Sequence, residues 1–278
     1  MENKEKNADD VRYELLPAPR EGTIACIDGG SAFITKSASK AIALIRIYSR
    51  AIKRSRTEET ITLERTGTTI TVRGLLTITV PVRNEEEPFI HAVNTYRRRR
   101  ELETALKLIT DATEHVDLLL IDGSLDAKTI EEKTLLTNIA TSCAEKGTIL
   151  VGFCKSCSWN NEGQPLTSFL ARRTTLPTWS VKWNGSLIAK LHAQASTPLR
   201  IDVKGNEEQT LRALSILSWA SRDVATPGYP YHLSDADKFA QIPNKEATLL
   251  NTLYHARNNW DTELEQNSTM YHDVLNRI

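Results

Sequence analysis

Two short stretches carry the residues best suited to chemistry. "IACIDGGSAF" (residues 24–33) and "LLLIDGSLDA" (residues 118–127) are apolar, strand-forming runs that end on an aspartate, Asp28 or Asp122, with glycine and serine following. A strand in a packed sheet fixes its backbone, so a side chain at its end is held more closely than one on a loop. The glycine lets the chain turn away without covering the carboxylate. If the two strands pair side by side, Asp28 and Asp122 meet. Close carboxylates repel unless a cation sits between them, and hard divalent cations prefer oxygen ligands. A Mg²⁺ or Mn²⁺ held this way can activate a water and stabilise the departing oxygen of a phosphodiester. Asp-Gly is also a common turn dipeptide, so either stretch alone describes an ordinary turn. Two such stretches, each behind a strongly apolar strand, favour one shared site.

A third acid is available in "YRRRRELETALKLI", where Glu101 and Glu103 flank opposite edges of an apolar helix face. Periodicity does not choose between them, and both could equally be solvated helix glutamates. The four arginines at 97–100 wrap round the helix and cannot all face one partner. One or two of them on phosphates, the rest solvated, is the expected division. "SRAIKRSR" (residues 49–56) is either a second phosphate track or a solvated loop.

The elements that must position these residues follow from the apolar pattern. Residues 1–20 are polar and are expected as an N-terminal arm, with residues 21–278 as a single domain. "GTIACIDGG" and "SAFITK", separated by Gly-Gly, predict a hairpin. "AIALIRIYSRAI" supplies a third strand and "ETITLERTGTTITVRGLLTITVPV" one or two more, so the N-terminal part is a β-meander. From "NEEEPFIHAV" to "DATEH" the pattern is helical, with Leu102, Ala105, Leu106 and Ile109 on one face. "VDLLLID" is a fully apolar strand, "AKTIEEKTLLTNIATSCAEKG" a helix closed by Gly147, and "TILVGF" a further buried strand. That strand–helix–strand unit implies a right-handed crossover between parallel strands. Beyond it, "SFLARRTTL" is helical, "WSVKWNGSLIAKLHA" a hairpin about Asn184-Gly185, and "LRIDVKG" a short strand. "NEEQTLRALSILSWAS" is an amphipathic helix, "TPGYPYHL" a rigid loop, and the tail from about Asp235 is helical.

Composition narrows the class. The 278 residues can bury a substantial core, and 40% hydrophobic with 25% charged residues is ordinary for a globular protein. Lysine plus arginine and aspartate plus glutamate both number 35, so any attraction to nucleic acid must come from local clusters. "MENKEKNADD" lacks the apolar core of a signal peptide, and no run approaches the length of a membrane span. A cytoplasmic protein with no membrane partner is expected. The four cysteines suggest no disulfide framework; "CKSC" lacks a second half to complete a zinc site, and Cys26 and Cys143 fit as small buried hydrophobes. His115 and His192 have no partner at ligand spacing.

Taken in order, several of these motifs resemble the NurA nucleases, archaeal and bacterial DNA-end-processing enzymes with an RNase H-like fold. The resemblance runs from about Gly22 to Asp237 and rests on "IDGGSA", the arginine-rich helix with its glutamate, "LLLIDGSL", "VGFCKS", "LRIDV" and "PGYPYHLSDAD". It implies metal-binding acids at Asp28, Glu101 and Asp122; Glu101 stands four residues before the alanine of "ETAL", as the family's glutamate tends to. The last motif usually continues with Pro-Leu and then Ala-His, the histidine being a further ligand. Here His232 replaces the proline and Asp237 stands in the histidine's place. An aspartate is an acceptable oxygen ligand for Mn²⁺ or Mg²⁺, although an acid at a helix N-terminus is the plainer alternative. Lys155 falls in the family's strand-end lysine position, where a cation can neutralise the scissile phosphate. Tyr229 and Tyr231 can stack on an unpaired base, worth about 1–3 kcal/mol. Asp202, in "RIDV", receives no catalytic role.

The expectation is therefore an α/β fold: an RNase H-like mixed sheet flanked by helices, with an N-terminal β-meander and a helical C-terminus. The resemblance implies a Mn²⁺- or Mg²⁺-dependent 5′-to-3′ exonuclease and single-strand endonuclease. It also implies a homodimer that works on DNA ends with the hexameric translocase HerA in double-strand break repair. Two other classes compete. One is an actin- or sugar-kinase-like ATP-binding protein, which would need two such lobes and a longer chain. The other is a non-catalytic subunit that binds DNA ends.

Overall fold

The computed structural model describes residues 11–36, 40–56, 61–65, 70–79, 87–161 and 163–258. Residues 1–10 of the expected arm, 66–69 of the expected turn, the acidic residues just before Glu87 and the end of the helical tail lie outside these, as do the side chains of 52–56. In chain order the elements are β1 (Thr23–Lys36), β2 (Lys40–Arg56), β3 (Ile61–Arg65), β4 (Ile70–Thr79) and α1 (Glu87–Asp111). Then come β5 (Leu118–Asp122), α2 (Ile130–Glu145), β6 (Ile149–Cys154), β7 (Asn160–Asn161), β8 (Gln164–Pro165) and α3 (Leu166–Arg172). The chain ends with β9 (Trp179–Trp183), β10 (Ser186–Lys190), β11 (Leu199–Lys204), α4 (Glu207–Ala220), α5 (Tyr231–Ala240) and α6 (Asn244–Asn258).

The strands form one mixed sheet in the order β3-β2-β1-β5-β6-β11-β10-β9, with β4 also paired to β2. β1, β5 and β6 are parallel, whereas β11, β10 and β9 continue antiparallel. The continuous apolar runs of β5 and β6 are the consequence of burial on both faces. α2 turns Leu136, Ile139 and Cys143 inward, and α4 buries Ala213, Leu214 and Leu217. Thr129 starts α2 by accepting the Glu132 N–H, and Asn206 and Gln209 close a reciprocal capping box on α4. The β9–β10 hairpin turns on Asn184 and Gly185, both at positive φ (46° and 78°), the twist-matched two-residue geometry.

By compactness the chain divides into two units. One comprises Met1–Asp28, Ser49–Thr69 and Leu102–Ala236; the other comprises Gly29–Tyr48, Ile70–Glu101 and Asp237–Ile278. In the first, the described part of the N-terminal arm is docked. Glu14 bridges Ser180 on β9, the Tyr13 hydroxyl donates to the Leu170 carbonyl at 2.7 Å, and the Arg20 N–H donates to Ser215 on α4. In the second, Ile34, Ile42 and Leu44 form a small core covered by Ile242, Ala247, Leu250 and Tyr254. Arg46 donates to the Gln241 carbonyl at 2.8 Å and pairs with Glu246.

Two expectations change. The Gly-Gly hairpin does not form, because β1 runs unbroken through Gly29 and Gly30. Those glycines are needed for clearance: a Cβ at Gly29 would collide with Glu101 Oε1 and lie 2.8 Å from Ile47 Cδ1, and one at Gly30 would strike the Ala240 carbonyl. "SRAIKRSR" is not a loop but the end of β2, paired antiparallel with β3.

Candidate functional site

β1 and β5 pair in parallel with Ile24 opposite Leu118 and Ile27 opposite Ile121. The next residues are Asp28 and Asp122, so the register brings the two acids to neighbouring positions. The turn after Asp122 is held away from them. Gly123 adopts φ 99° and donates its N–H to the Phe153 carbonyl at 2.9 Å, and Gly152 on β6 leaves the space that the Gly123 carbonyl fills. Lys155, immediately beyond β6, reaches back over both acids. Its Nζ lies 3.0 Å from Asp122 Oδ2 and 3.7 Å from Asp28 Oδ2. Asp28 is buried at 4% exposure, while the Lys155 side chain is 41% exposed. A buried carboxylate beside a second one is tolerable only with positive charge at hand, and Lys155 provides it.

Tyr229 forms one wall. Its ring stands edge-on to Phe153, with centroids 5.5 Å apart, and the Lys155 ammonium lies 5.8 Å from its centre. Burial, and then the nearby Asp122 charge, push the Tyr229 hydroxyl well above the usual phenol range, so it stays protonated. Two residues before Asp28 on β1, the Cys26 thiol donates to the His232 carbonyl at 3.2 Å, and burial followed by Asp235 pushes its pKa up to about 12.

In the second unit, burial separates the two helix glutamates. Glu101 is 2% exposed; Glu103, in the first unit, is half-buried. Glu101 accepts from Arg97 Nη1 at 2.6 Å and Arg98 Nη1 at 3.3 Å, and Arg97 also donates to the Gly29 carbonyl at 2.7 Å. Arg97 and Arg98, expected to face a partner's phosphates, are thus engaged in holding Glu101.

No protein-family profile matches the chain, and no curated protein does. Solved structures do. The NurA nuclease from Sulfolobus solfataricus is 12% identical with a TM-score of 0.58, covering 90% of this chain and 88% of that one. A further NurA structure reaches a TM-score of 0.62 at 10% identity, covering 91% and 92%. A NurA bound to dAMP and manganese gives 0.57 at 10% identity, covering 84% and 88%. The fold is that of NurA.

Within this NurA-like fold the remaining expected residues fall as follows. Asp237 is exposed on α5, in the second unit. Tyr231 is not part of a loop: it is the first residue of α5, half-buried and edge-on to His232 at 6.0 Å. Among the described residues no group of three or more histidine, cysteine, aspartate or glutamate side chains forms a ready-made metal site.

Sequence reasoning missed two networks. Arg50 pairs with Asp235 at 2.7 Å, both largely buried. Asp202, buried on β11, accepts the Leu125 N–H at 2.9 Å and binds Arg200 through Nε and Nη2 at 2.9 and 3.0 Å. Arg200 also holds Asp126 at 2.5 Å and lies over the Trp159 ring at 4.2 Å. This network pins the loop that follows Asp122. Its one trace in the sequence was an arginine and an acid at i and i+2, alternating with apolar residues in β11.

Proposed function

We propose that the chain is a DNA nuclease that hydrolyses phosphodiester bonds with the help of Mn²⁺ or Mg²⁺. The observation that carries this reading is the parallel register that sets Asp28 and Asp122 side by side around one cationic group. The likeness of fold to NurA, including a NurA bound to dAMP and manganese, supports it. The donor set fits a hard divalent ion: both side chains offer only oxygen, and their charges already converge on a positive group. When bound, such an ion lowers the pKa of a water and draws charge from the phosphate oxygens.

The chain's own residues supply the rest. Asp28 and Asp122, fixed by the sheet, hold their oxygens in place. Lys155 neutralises charge on the scissile phosphate. On the family pattern Glu101 and Asp237 are assigned as further metal-binding acids. Arg97 and Arg98, besides holding Glu101, are assigned to backbone phosphates, and Tyr229 and Tyr231 to an unpaired base. On the same pattern the enzyme acts as a 5′-to-3′ exonuclease and single-strand endonuclease on DNA ends in double-strand break repair, as a homodimer with a HerA-type hexameric translocase.

The test is cleavage of labelled single- and double-stranded DNA with Mn²⁺, Mg²⁺ or EDTA. Cleavage should require the metal, and Asp122→Asn should lower it by roughly a hundredfold or more. The fold should survive, because an ion pair to a part-exposed lysine contributes only about 0–1 kcal/mol. Undiminished cleavage by a clean Asp122→Asn preparation removes the acid pair from the chemistry. DNA binding with no cleavage under any metal leaves the non-catalytic subunit.

A further inference from the structure

Lys155 has a second consequence for the acid pair. Its ammonium is the positive charge held between the Asp28 and Asp122 oxygens, at 3.7 and 3.0 Å. We infer that Lys155 is a built-in counter-ion that competes with the divalent metal for the Asp28–Asp122 pair, so that metal binds only as the ammonium withdraws. The inference deepens the nuclease reading and rests on it.

The three side chains differ in their freedom to move. Asp28 lies within β1 and is buried, and Asp122 ends β5 with its turn pinned by the Gly123–Phe153 hydrogen bond. Lys155 sits beyond the end of β6 on a flexible four-carbon stem, 41% exposed. The acids therefore stay where the sheet puts them, and the lysine is the member that can leave. The Tyr229 ring gives the departing ammonium a nearby resting place: 5.8 Å from Nζ to the centroid is already within the range of a cation–π contact.

The competition is unequal in charge. An ammonium brings one unit and hydrogen bonds; a divalent ion brings two units and direct oxygen coordination. Without Lys155 the metal-free protein keeps two neighbouring carboxylates with less compensation. Removing the lysine charge should therefore tighten metal binding and weaken the metal-free fold. The retained lysine has the opposite use. Metal entry frees its charge beside the site where a phosphate would lie, coupling metal binding to the capture of an anionic substrate.

The test needs no turnover: calorimetric titration of the full chain with Mn²⁺ alone, comparing the unsubstituted protein with Lys155→Met, Lys155→Arg and Asp122→Asn. Lys155→Met should bind Mn²⁺ roughly tenfold or more tightly than the unsubstituted chain, from the removal of a unit charge a few ångströms away. Lys155→Arg should stay close to the unsubstituted chain, and Asp122→Asn should lose the site. Thermal unfolding should show Lys155→Met less stable in EDTA and more strongly raised by Mn²⁺. A variant that folds only when Mn²⁺ is present would support the inference equally. If it folds under neither condition, Lys155→Gln takes its place in the titration. Binding by Lys155→Met that is no tighter, with Asp122→Asn still abolishing the site, overturns the counter-ion role and leaves the nuclease reading standing. Mn²⁺ binding that Asp122→Asn does not change overturns both.

Discussion

Gly29→Ala separates the two readings of the Gly-Gly pair in "IDGGSA". In a hairpin, a methyl at Gly29 would disturb the turn whatever the neighbouring side chains were. In the continuous strand, its cost comes from what the methyl meets. The added Cβ would collide with Glu101 Oε1, lie 3.0 Å from Glu101 Cγ and 2.8 Å from Ile47 Cδ1. Neither neighbour yields easily. Ile47 is fully buried, and Glu101 is buried and held by Arg97 at 2.6 Å. Overpacking of this kind costs about 1–3 kcal/mol. In a chain of this size that lowers the melting temperature by about 2–4 °C per kcal/mol. Urea unfolding of Gly29→Ala, Glu101→Ala and the double variant measures the coupling. The Gly29→Ala penalty should shrink by about 1 kcal/mol when Glu101 is already truncated, since contacting residues couple by roughly 0.5–3 kcal/mol. Because the methyl also pushes a proposed catalytic carboxylate, DNA cleavage should fall more than stability does. A Gly29→Ala protein as stable as the parent, or a penalty identical in both backgrounds, refutes the clearance argument.

The remaining predictions concern the thiols and the β11 network. At pH 8 a chromogenic thiol reagent should label Cys157, which is half-buried, far faster than Cys26, Cys143 and Cys154, which should react only on unfolding. Burial pushes each of those three thiols up to about 12, well above the ordinary thiol range, so the native state keeps protons that the unfolded chain gives up. Their contribution to stability is complete below the unfolded value and disappears as pH rises through the folded one. Urea midpoints should therefore fall between pH 9 and 12, and less steeply in Cys26→Ala. Arg200→Met leaves Asp202 buried without its partner and should cost about 3–5 kcal/mol by urea unfolding. A loss under about 1 kcal/mol would show that the network does not hold the loop after Asp122.

The sequence made the elements legible wherever local pattern and tertiary need agree. β5, β6, α2, α4 and the Asn184-Gly185 turn carry their own signals: doubly apolar strands, capping residues, a twist-matched dipeptide. The α1 face shifted slightly, with Leu108 buried and Leu106 only half-buried, because a bare i, i+3, i+4, i+7 template does not say how wide the covered stripe is. Gly29 and Gly30 misled because a glycine required for close approach looks the same, in one dimension, as a glycine required for a turn. Tyr231 misled because prolines at 227 and 230 suggest a loop, whereas a proline just before the first turn of a helix starts α5. The Arg50–Asp235 pair and the contacts of Arg200 with Asp126 and of Asp202 with the Leu125 N–H left almost no trace: each joins segments far apart in the chain, and spacing cannot report contacts that only the fold creates.

The adjacency of Asp28 and Asp122 is different in kind, because apolar residues enforce it. Two carboxylates gain nothing from standing together. What aligns them is the pairing of Ile24 with Leu118 through Ile27 with Ile121, all buried. Side chains alternate along a strand, so a slip of one residue would turn β1's whole pattern to the opposite face and move Asp28 away from Asp122. Returning the acids to a shared position by any other route would disrupt a fully buried strand pairing. The hydrophobic register therefore holds two like charges at a separation that they would not choose. Lys155, or a metal in its place, is what makes that separation tolerable.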